Sequence, residues 1–338
     1  MSHNIYYRKT MIEFNKIKSI FDTHSSFIIT SHVNPDADAI GSELALCYYL
    51  KSLGKSVRII NFSETPAYLN FLDEENLIEH FKETLHAEAI LKSEVILVVD
   101  LNQLSRTMEM EKHIRKSKAA LMCIDHHENT EKFSEDLFVD IEYTSTGEIV
   151  YELLASDSSY KMDYKAALNL YAAIMTDTGS FKYDRTSSRT HRIAAHLLEL
   201  GVNPRETHNK IYDQGSKGKL QLLGRALSSF SCEGNGKIGI MTITKKDIGE
   251  TKTVEADIDG FINHCLTVSG VVIAIFFVEI EDGIKISFRS IGNIPVNKLA
   301  GEFGGGGHFN ASGARFPNGK LDEIKLKVIE AAKKYIIE

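Results

Sequence analysis

In the stretch ITSHVNPDADAIGS, residues 29–42, His32, Asp36 and Asp38 fall within seven residues, between an apolar run and a helical pattern. Two further apolar runs end in acids: VILVVD closes on Asp100, and LMCID closes on Asp125, with His126 and His127 next. A fourth site, Asp177, follows the helical pattern KAALNLYAAIM in TDTGSF. There the negative end of the helix dipole disfavours a carboxylate by up to about 1 kcal/mol unless a cation compensates. Carboxylates gathered in one crevice raise one another's pKa and, unaided, are partly protonated. Divalent cations remove that penalty. An oxygen-rich set with one or two imidazoles suits manganese or magnesium, whereas structural zinc favours thiolates. The expected arrangement is a pair of cations about 3.5–4 Å apart, sharing a carboxylate and a bridging water that serves as nucleophile on phosphorus.

The elements that must carry these groups follow from periodicity. Up to about residue 190, short apolar runs (SFIIT, SVRII, VILVVD, AALMCID) alternate with helical patterns (AIGSELALCYYLKSLG, EIVYELLAS, KAALNLYAAIM). This alternation predicts a mostly parallel sheet flanked by helices. In such open sheets ligands bind beyond the carboxyl ends of the strands, so the acid-bearing turns can converge on one edge. Residues 190–229 read as helices broken by Gly201 and Pro204. From residue 237 the style changes to IGIMTIT, VVIAIFFVEI and IKISFRSI, the last two joined by EDG, a hairpin signal. The predicted fold is α/β in two domains: an N-terminal domain over 1–189 that carries the acids and histidines, a helical linker over 190–229, and a smaller C-terminal α/β domain with a mixed sheet over 230–338.

Composition bounds the partners. A net charge of −7 over 338 residues counts against a broad basic surface gripping long duplex nucleic acid. A small phosphorylated ligand remains compatible, because bound divalent cations invert the local charge of an acidic site. Four scattered cysteines fit buried thiols in a reducing compartment. The longest apolar run, 271–278, falls short of the ~20 residues a bilayer span needs, and the polar start MSHNIYYRKTMIEF lacks a signal-peptide core. A cytoplasmic protein without a membrane partner is therefore expected.

The motifs SHVNPDADAIGS, VVDLNQLSR, IDHHEN and TDTGSF, in this order, resemble those of the DHH phosphoesterase family, and FGGGGHFNASGARF resembles the glycine-rich motif of its associated C-terminal domain. Within the family the chain is most similar to the nano-RNase and 3',5'-bisphosphate nucleotidase branch, whose members degrade very short oligoribonucleotides and dephosphorylate pAp. The resemblance implies that His32, Asp36 and Asp100 hold one metal and that Asp38, Asp100, His126 and Asp177 hold the other, with Asp100 bridging. It further implies that His127 faces the scissile phosphate, that Asp125 orients a histidine, and that Arg106 stands where the family places an arginine. The cofactors implied are two divalent ions, manganese foremost, with magnesium or cobalt as alternatives. Short RNA and pAp are the implied substrates; homodimerisation is left open.

The C-terminal motif has its own physical reading. Gly304, Gly305, Gly306 and Gly307 carry no side chains to shield the backbone, so successive N–H groups can close around an anion, and a helix starting near His308 would add its positive end. His308 and Arg289 could then take the substrate's far phosphate or sugar. Plainer readings compete. NPDAD alone is a helix-capping turn, and a glycine run alone is a surface loop. Tyr68, Phe71 and Tyr183 are expected in the core, although one of them could stack on a base, and Arg185 and Arg189 suit either phosphate or surface ion pairs. Alternative functions are hydrolysis of linear or cyclic dinucleotides or of polyphosphate and, in another class, a non-catalytic nucleotide sensor.

Overall fold

Apolar runs that are covered on both faces become interior strands of a parallel sheet, and the first half of the chain follows that rule. The computed structural model describes residues 12–336, apart from the side chain of His308. Contacts divide the chain into two units, Met1–Gln214 and Gly215–Glu338.

The first unit contains strands β1 (Ser26–Thr30), β2 (Ser56–Asn61), β3 (Ile78–His80), β4 (Val95–Val99), β5 (Ala120–Asp125) and β6 (Asp136–Val139). Its helices are α1 (Phe14–Thr23), α2 (Ala37–Ser52), α3 (Glu83–Lys92), α4 (Glu111–Ile114), α5 (Thr146–Ala155), α6 (Tyr164–Asp177), α7 (Ser188–Glu199) and α8 (Pro204–Tyr212). The strands lie in the order β3-β2-β1-β4-β5-β6, every neighbouring pair parallel. Strand order reverses between β1 and β4, which opens a crevice at their carboxyl ends. Alternate residues serve opposite layers, as the period of two requires. Ile29, Leu97 and Ile124 join a core with Leu44, Ile149 and Leu170 of α2, α5 and α6. Ile28, Ile96 and Val98 face Ile90 and Ile114 of α3 and α4. The short strands β3 and β6 have only partly buried faces and give little apolar signal.

Helix α2 is buried on nearly every side and packs on α6. Gly41 makes that approach possible: a Cβ there would stand 2.3 Å from the Asn169 carbonyl oxygen. The helix ends at Gly54, whose φ of 75° suits a residue without a Cβ. Helices α7 and α8 pack on α6, so the 190–229 segment is shared between the units.

The second unit holds α9 (Lys217–Ser228), β7 (Ser231–Glu233), β8 (Ile238–Ile243), α10 (Lys245–Thr251), β9 (Ile273–Ile280), β10 (Gly283–Ser290), α11 (Val296–Gly301), β11 (Gly306–His308), β12 (Ala311–Pro317) and α12 (Leu321–Lys333). Its sheet, ordered β11-β12-β10-β9-β8-β7, is mixed: β8 and β9 are parallel and the other pairs antiparallel. Ile273, Ile275 and Phe277 pack under α11 and α12, while Ala274, Phe276 and Val278 pack against Leu222 and Ala226 of α9. The two-domain α/β architecture is that expected from the sequence.

Two expectations are corrected. No helix starts near His308, because residues 306–308 pair as a strand with β12. Tyr68 and Tyr183 are 46% and 55% exposed and so do not lie in the core, whereas Phe71 is partly buried against it. Among the described residues no helix is long and apolar enough to cross a membrane.

Gly41→Ala should force α2 and α6 apart, at a net cost of about 1–3 kcal/mol despite the gain in helix propensity. The melting midpoint should fall by roughly 2–4 °C per kcal/mol. An unchanged midpoint would refute the close-packing role of this glycine.

Candidate metal centre

Each sequence-predicted ligand stands at the carboxyl edge of the sheet or at a helix end beside it. His32 and Asp36 follow β1, Asp100 follows β4 directly, His126 and His127 follow Asp125 at the end of β5, and Asp177 is the last residue of α6. Asp36 caps α2, its Oδ1 accepting the N–H groups of Asp38 (3.0 Å) and Ala39 (3.1 Å). Capping and ligation are thus compatible, since one carboxylate oxygen serves the helix and Oδ2 remains. Asp100 has a φ of 54°, a left-handed conformation that costs a non-glycine residue about 1 kcal/mol. Its N–H donates to the Ile124 carbonyl at 3.0 Å, which holds the turn.

Three groups form with ligand atoms within 4.8 Å of one another: His32, Asp36 and Asp100; Asp38, His126 and Asp177; and Asp100, His126 and His127. Asp100 joins them. Its Oδ2 is 3.4 Å from His32 Nε2, and its Oδ1 is 3.5 Å from His126 Nε2 and 3.6 Å from His127 Nδ1. His126 Nε2 also lies 3.7 Å from Asp38 Oδ2 and 3.2 Å from Asp177 Oδ2. Ligand atoms at right angles around a cation with bonds of about 2.1 Å stand about 3 Å apart. The side chains therefore fit divalent cations in both spacing and donor type.

The electrostatics point the same way. Burial, then the charges of Asp100, Asp177 and Asp36, push Asp38 well above the usual carboxylate range. Asp177 is raised likewise by burial, Asp100 and Asp36. Asp36 keeps an exposed edge, yet desolvation by surrounding atoms and the Asp100 charge raise it too. Burial also opposes charge on Asp100, but the His32 hydrogen bond and the three imidazoles outweigh it and hold this carboxyl below its ordinary value. His126 is pushed down by burial, which favours the neutral form that a metal ligand needs. For His127 burial is overcome by the Asp125 hydrogen bond and the Asp100 charge, raising it to about 9.

Asp125 pairs with His127, Oδ1 to Nδ1 at 2.7 Å, and a Thr130 hydroxyl donates to its Oδ2 at 3.3 Å. The neighbouring His126 has no such support: its buried Nδ1 has no hydrogen-bond partner among the described residues. His32 Nδ1 pairs with the Val33 carbonyl at 2.9 Å, leaving Nε2 toward Asp100.

Sequence reasoning missed the start of α5. The N–H groups of Thr146 and Gly147 each donate to the Asp38 carboxylate at 2.8 Å, and the Thr146 hydroxyl donates to Asp100 Oδ1 at 3.1 Å. A helix N-terminus thus faces the most deeply buried of the candidate ligand acids, offsetting part of its charge. The signal was the string STGE, in which Ser145 caps the helix and accepts the Glu148 N–H at 3.1 Å. Also missed is the support beneath His32: Asn61 Oδ1 accepts the Ser31 N–H at 3.2 Å, and Asn61 Nδ2 donates to Glu43 at 2.8 Å. Burial pushes Glu43 up to about 8.

Arg106 lies in the short 3-10 helix Leu104–Met110 that follows β4, and its carbonyl accepts the Val33 N–H at 2.8 Å, tying that segment to the His32 turn. Arg185 donates to the carbonyls of Ile141 and Tyr143, and Arg189 donates to the Glu142 carbonyl and stacks 3.8 Å over Tyr143. In the second unit Arg289 stands in register with Ala311, which in turn pairs with His308. A Cβ on Gly305 or Gly307 would meet the carbonyl oxygens of Gly313 (2.1 Å) or Ala311 (2.6 Å), so packing in a hairpin requires these glycines. The His308 side chain lies outside the described part of the structure.

A doubly wound α/β unit carries, at its switch point, a carboxylate–histidine centre able to hold divalent cations, and a second α/β unit follows it in the chain. The chain belongs to the DHH family. The DHH family N-terminal domain matches residues 26–176 and the DHHA1 domain matches 235–334. The bifunctional oligoribonuclease and PAP phosphatase NrnA of Bacillus subtilis is 30% identical over 298 residues, 88% of this chain and 90% of the relative. The protein of the same name from Thermus thermophilus is 28% identical over 328 residues, 97% of this chain and 94% of the relative. A solved structure of an exopolyphosphatase-related protein from Bacteroides fragilis superposes with a TM-score of 0.89 at 31% identity, covering 95% of this chain and 96% of that one.

Thr146→Val should weaken affinity for Mn2+ about tenfold, the lower range for loss of a supporting contact, measured by calorimetric titration; unchanged affinity would remove Thr146 from the site. A pH dependence follows from the raised carboxyls Asp36, Asp38 and Asp177. Between the ordinary and the raised values, the folded chain holds protons that the unfolded chain has released. The metal-free protein therefore loses stability as pH rises through that window. Mn2+, which replaces those protons, should raise the melting temperature more at about pH 8 than at about pH 5. An equal shift at both would contradict the coupled acids.

Proposed function

We propose that this protein hydrolyses very short oligoribonucleotides to mononucleotides and pAp to AMP. The observation that carries the reading is the placement of Asp100, whose two oxygens face different histidines, Oδ2 toward His32 and Oδ1 toward His126. On this reading His32, Asp36 and Asp100 would hold one divalent cation, and Asp38, Asp100, His126 and Asp177 the other. When bound, such cations supply Lewis acidity toward a phosphoryl oxygen and acidify water. The preferred ion is manganese.

The chain's own groups do the rest. With Nδ1 committed to Asp125 at 2.7 Å, His127 has Nε2 left to donate a proton to a phosphate oxygen or the departing one. The hydrogen bond to the Asp125 carboxylate favours the protonated ring. Asp125 acts by fixing the ring's orientation. Arg106, in the segment tied to the His32 turn, binds a substrate phosphate bidentately, as a guanidinium does best. In the second unit, Arg289, Gly305, Gly306, Gly307 and His308 are the residues assigned to substrate binding. The two NrnA proteins, named for these activities and matched over most of their length, support the reading.

Hydrolysis of polyphosphate is the second reading, favoured by the description of the Bacteroides fragilis neighbour. A sensor without turnover is disfavoured by the full set of side chains able to hold cations.

Product analysis after incubation with Mn2+ and, separately, an RNA dinucleotide, a long RNA, pAp and polyphosphate tests the proposal. The dinucleotide and pAp should be consumed fastest; preference for polyphosphate would favour the second reading. Asp100→Asn should lower turnover of both nucleotides by more than about 100-fold, beyond what loss of a supporting contact produces. Full activity in that variant would end the bridging assignment.

A further inference from the structure

The turn after Asp177 has an uncommon backbone. Gly179, Ser180 and Phe181 have φ of 57°, 60° and 66°, a left-handed run that side-chain-bearing residues rarely adopt. It folds the chain back so that the Tyr183 N–H donates to the Thr178 carbonyl at 3.0 Å. The Tyr183 ring then lies on Gly179. A Cβ built on that glycine would stand 2.4 Å from Cζ, 2.5 Å from Cε1 and 2.8 Å from Cε2. Near-equal approach to these three atoms places the glycine backbone against the ring's face rather than its edge. One face is thus backed by main chain, and the residue is still 55% exposed.

Two more exposed tyrosines stand nearby. Tyr212, the last residue of α8, is 47% exposed. Its hydroxyl interacts with the Ser180 side chain, and burial of that end, followed by the influence of Tyr183, Tyr68 and Asp177, pushes the phenol up to about 12. Tyr68, 46% exposed, sits on the turn Ala67–Leu72, which packs against α8. Single exposed aromatics need no explanation. Three around the turn that carries a candidate metal ligand do, because each gives up burial that a core position would supply.

We propose that Tyr183, backed by Gly179 and flanked by Tyr212 and Tyr68, is the platform on which a nucleobase of the substrate stacks beside the scissile phosphate. The inference rests on the nucleotide reading above and deepens it. A ring face offers contact to any base without reading its edges, so the site is tolerant of sequence. The flat, rigid backing costs little ordering on binding. Gly179 is required because any side chain would displace the ring.

The test uses the full chain with Mn2+ and 2-aminopurine ribonucleoside 5'-monophosphate, a fluorescent mononucleotide whose emission is quenched by stacking. Wild type should quench it; Tyr183→Leu should weaken binding about tenfold, within the range for one stacked base, and Tyr183→Phe should retain it. In turnover, Tyr183→Leu should raise KM for an RNA dinucleotide about tenfold while changing kcat less than about twofold. The same dinucleotide lacking one base should show no difference between wild type and variant. Unaltered quenching in Tyr183→Leu, or equal losses on intact and base-lacking dinucleotides, overturns the platform. Tyr183-dependent quenching without cleavage of any oligonucleotide would leave the platform standing and overturn the substrate reading instead. Cleavage that ignores Tyr183 would do the reverse.

Discussion

Four carboxylates, Asp36, Asp38, Asp100 and Asp177, are held together at the point where the order of the parallel strands reverses, and their mutual repulsion is the constraint on which the rest of this protein turns. Burial adds to it, because a charge removed from water must be matched by partners or lose its ionisation. The fold matches it in part with what a protein can supply. The first N–H groups of α5 face Asp38, three imidazoles surround Asp100, and Asp36 is turned to cap α2. The remainder is a demand for cations.

Meeting that demand sets geometry elsewhere. Helix α5 can present its N-terminus to Asp38 only because Gly147 lets it approach: a Cβ there would stand 2.6 Å from the Ala173 Cβ and 3.2 Å from Asp38 Oδ1. Gly41 does the same for α2 against α6. These glycines belong to packing, yet they decide how closely the helices that carry candidate ligands converge. The left-handed conformation of Asp100 is another such cost, local backbone strain retained where it aims a candidate metal-binding carboxylate.

The second unit uses glycine for a different purpose. Gly306 and Gly307 of its run pair with β12, and the absent side chains of Gly305 and Gly307 let the backbone approach the carbonyl oxygens of Gly313 and Ala311. Backbone economy of this kind is hard to separate, in a string of letters, from an anion-cradling nest. Both need glycine, and only the pairing partner distinguishes them.

Much of the first unit was legible because its strands are buried on both faces and end abruptly in acids. SFIIT, SVRII, VILVVD and AALMCID all became strands, while IEH and DLFV, short and half-buried at the sheet's margins, gave no such signal. The acids and histidines could be placed on strand ends and a helix end from pattern alone. What pattern could not state is who neighbours whom. That β4 lies beside β1, that Asp125 holds His127 rather than His126, that Thr146 reaches Asp100, and that Tyr183 lies on Gly179 all depend on contacts between segments distant in sequence or on the exact path of a turn. By itself the sequence determined which segments are buried, where they stop and which charged groups stand at those stops, since each is a local consequence of side-chain type and period. Only the tertiary structure decided the order of the strands, the aim of the α5 N-terminus and the face of each aromatic left open, because those follow from the packing of the whole unit at once.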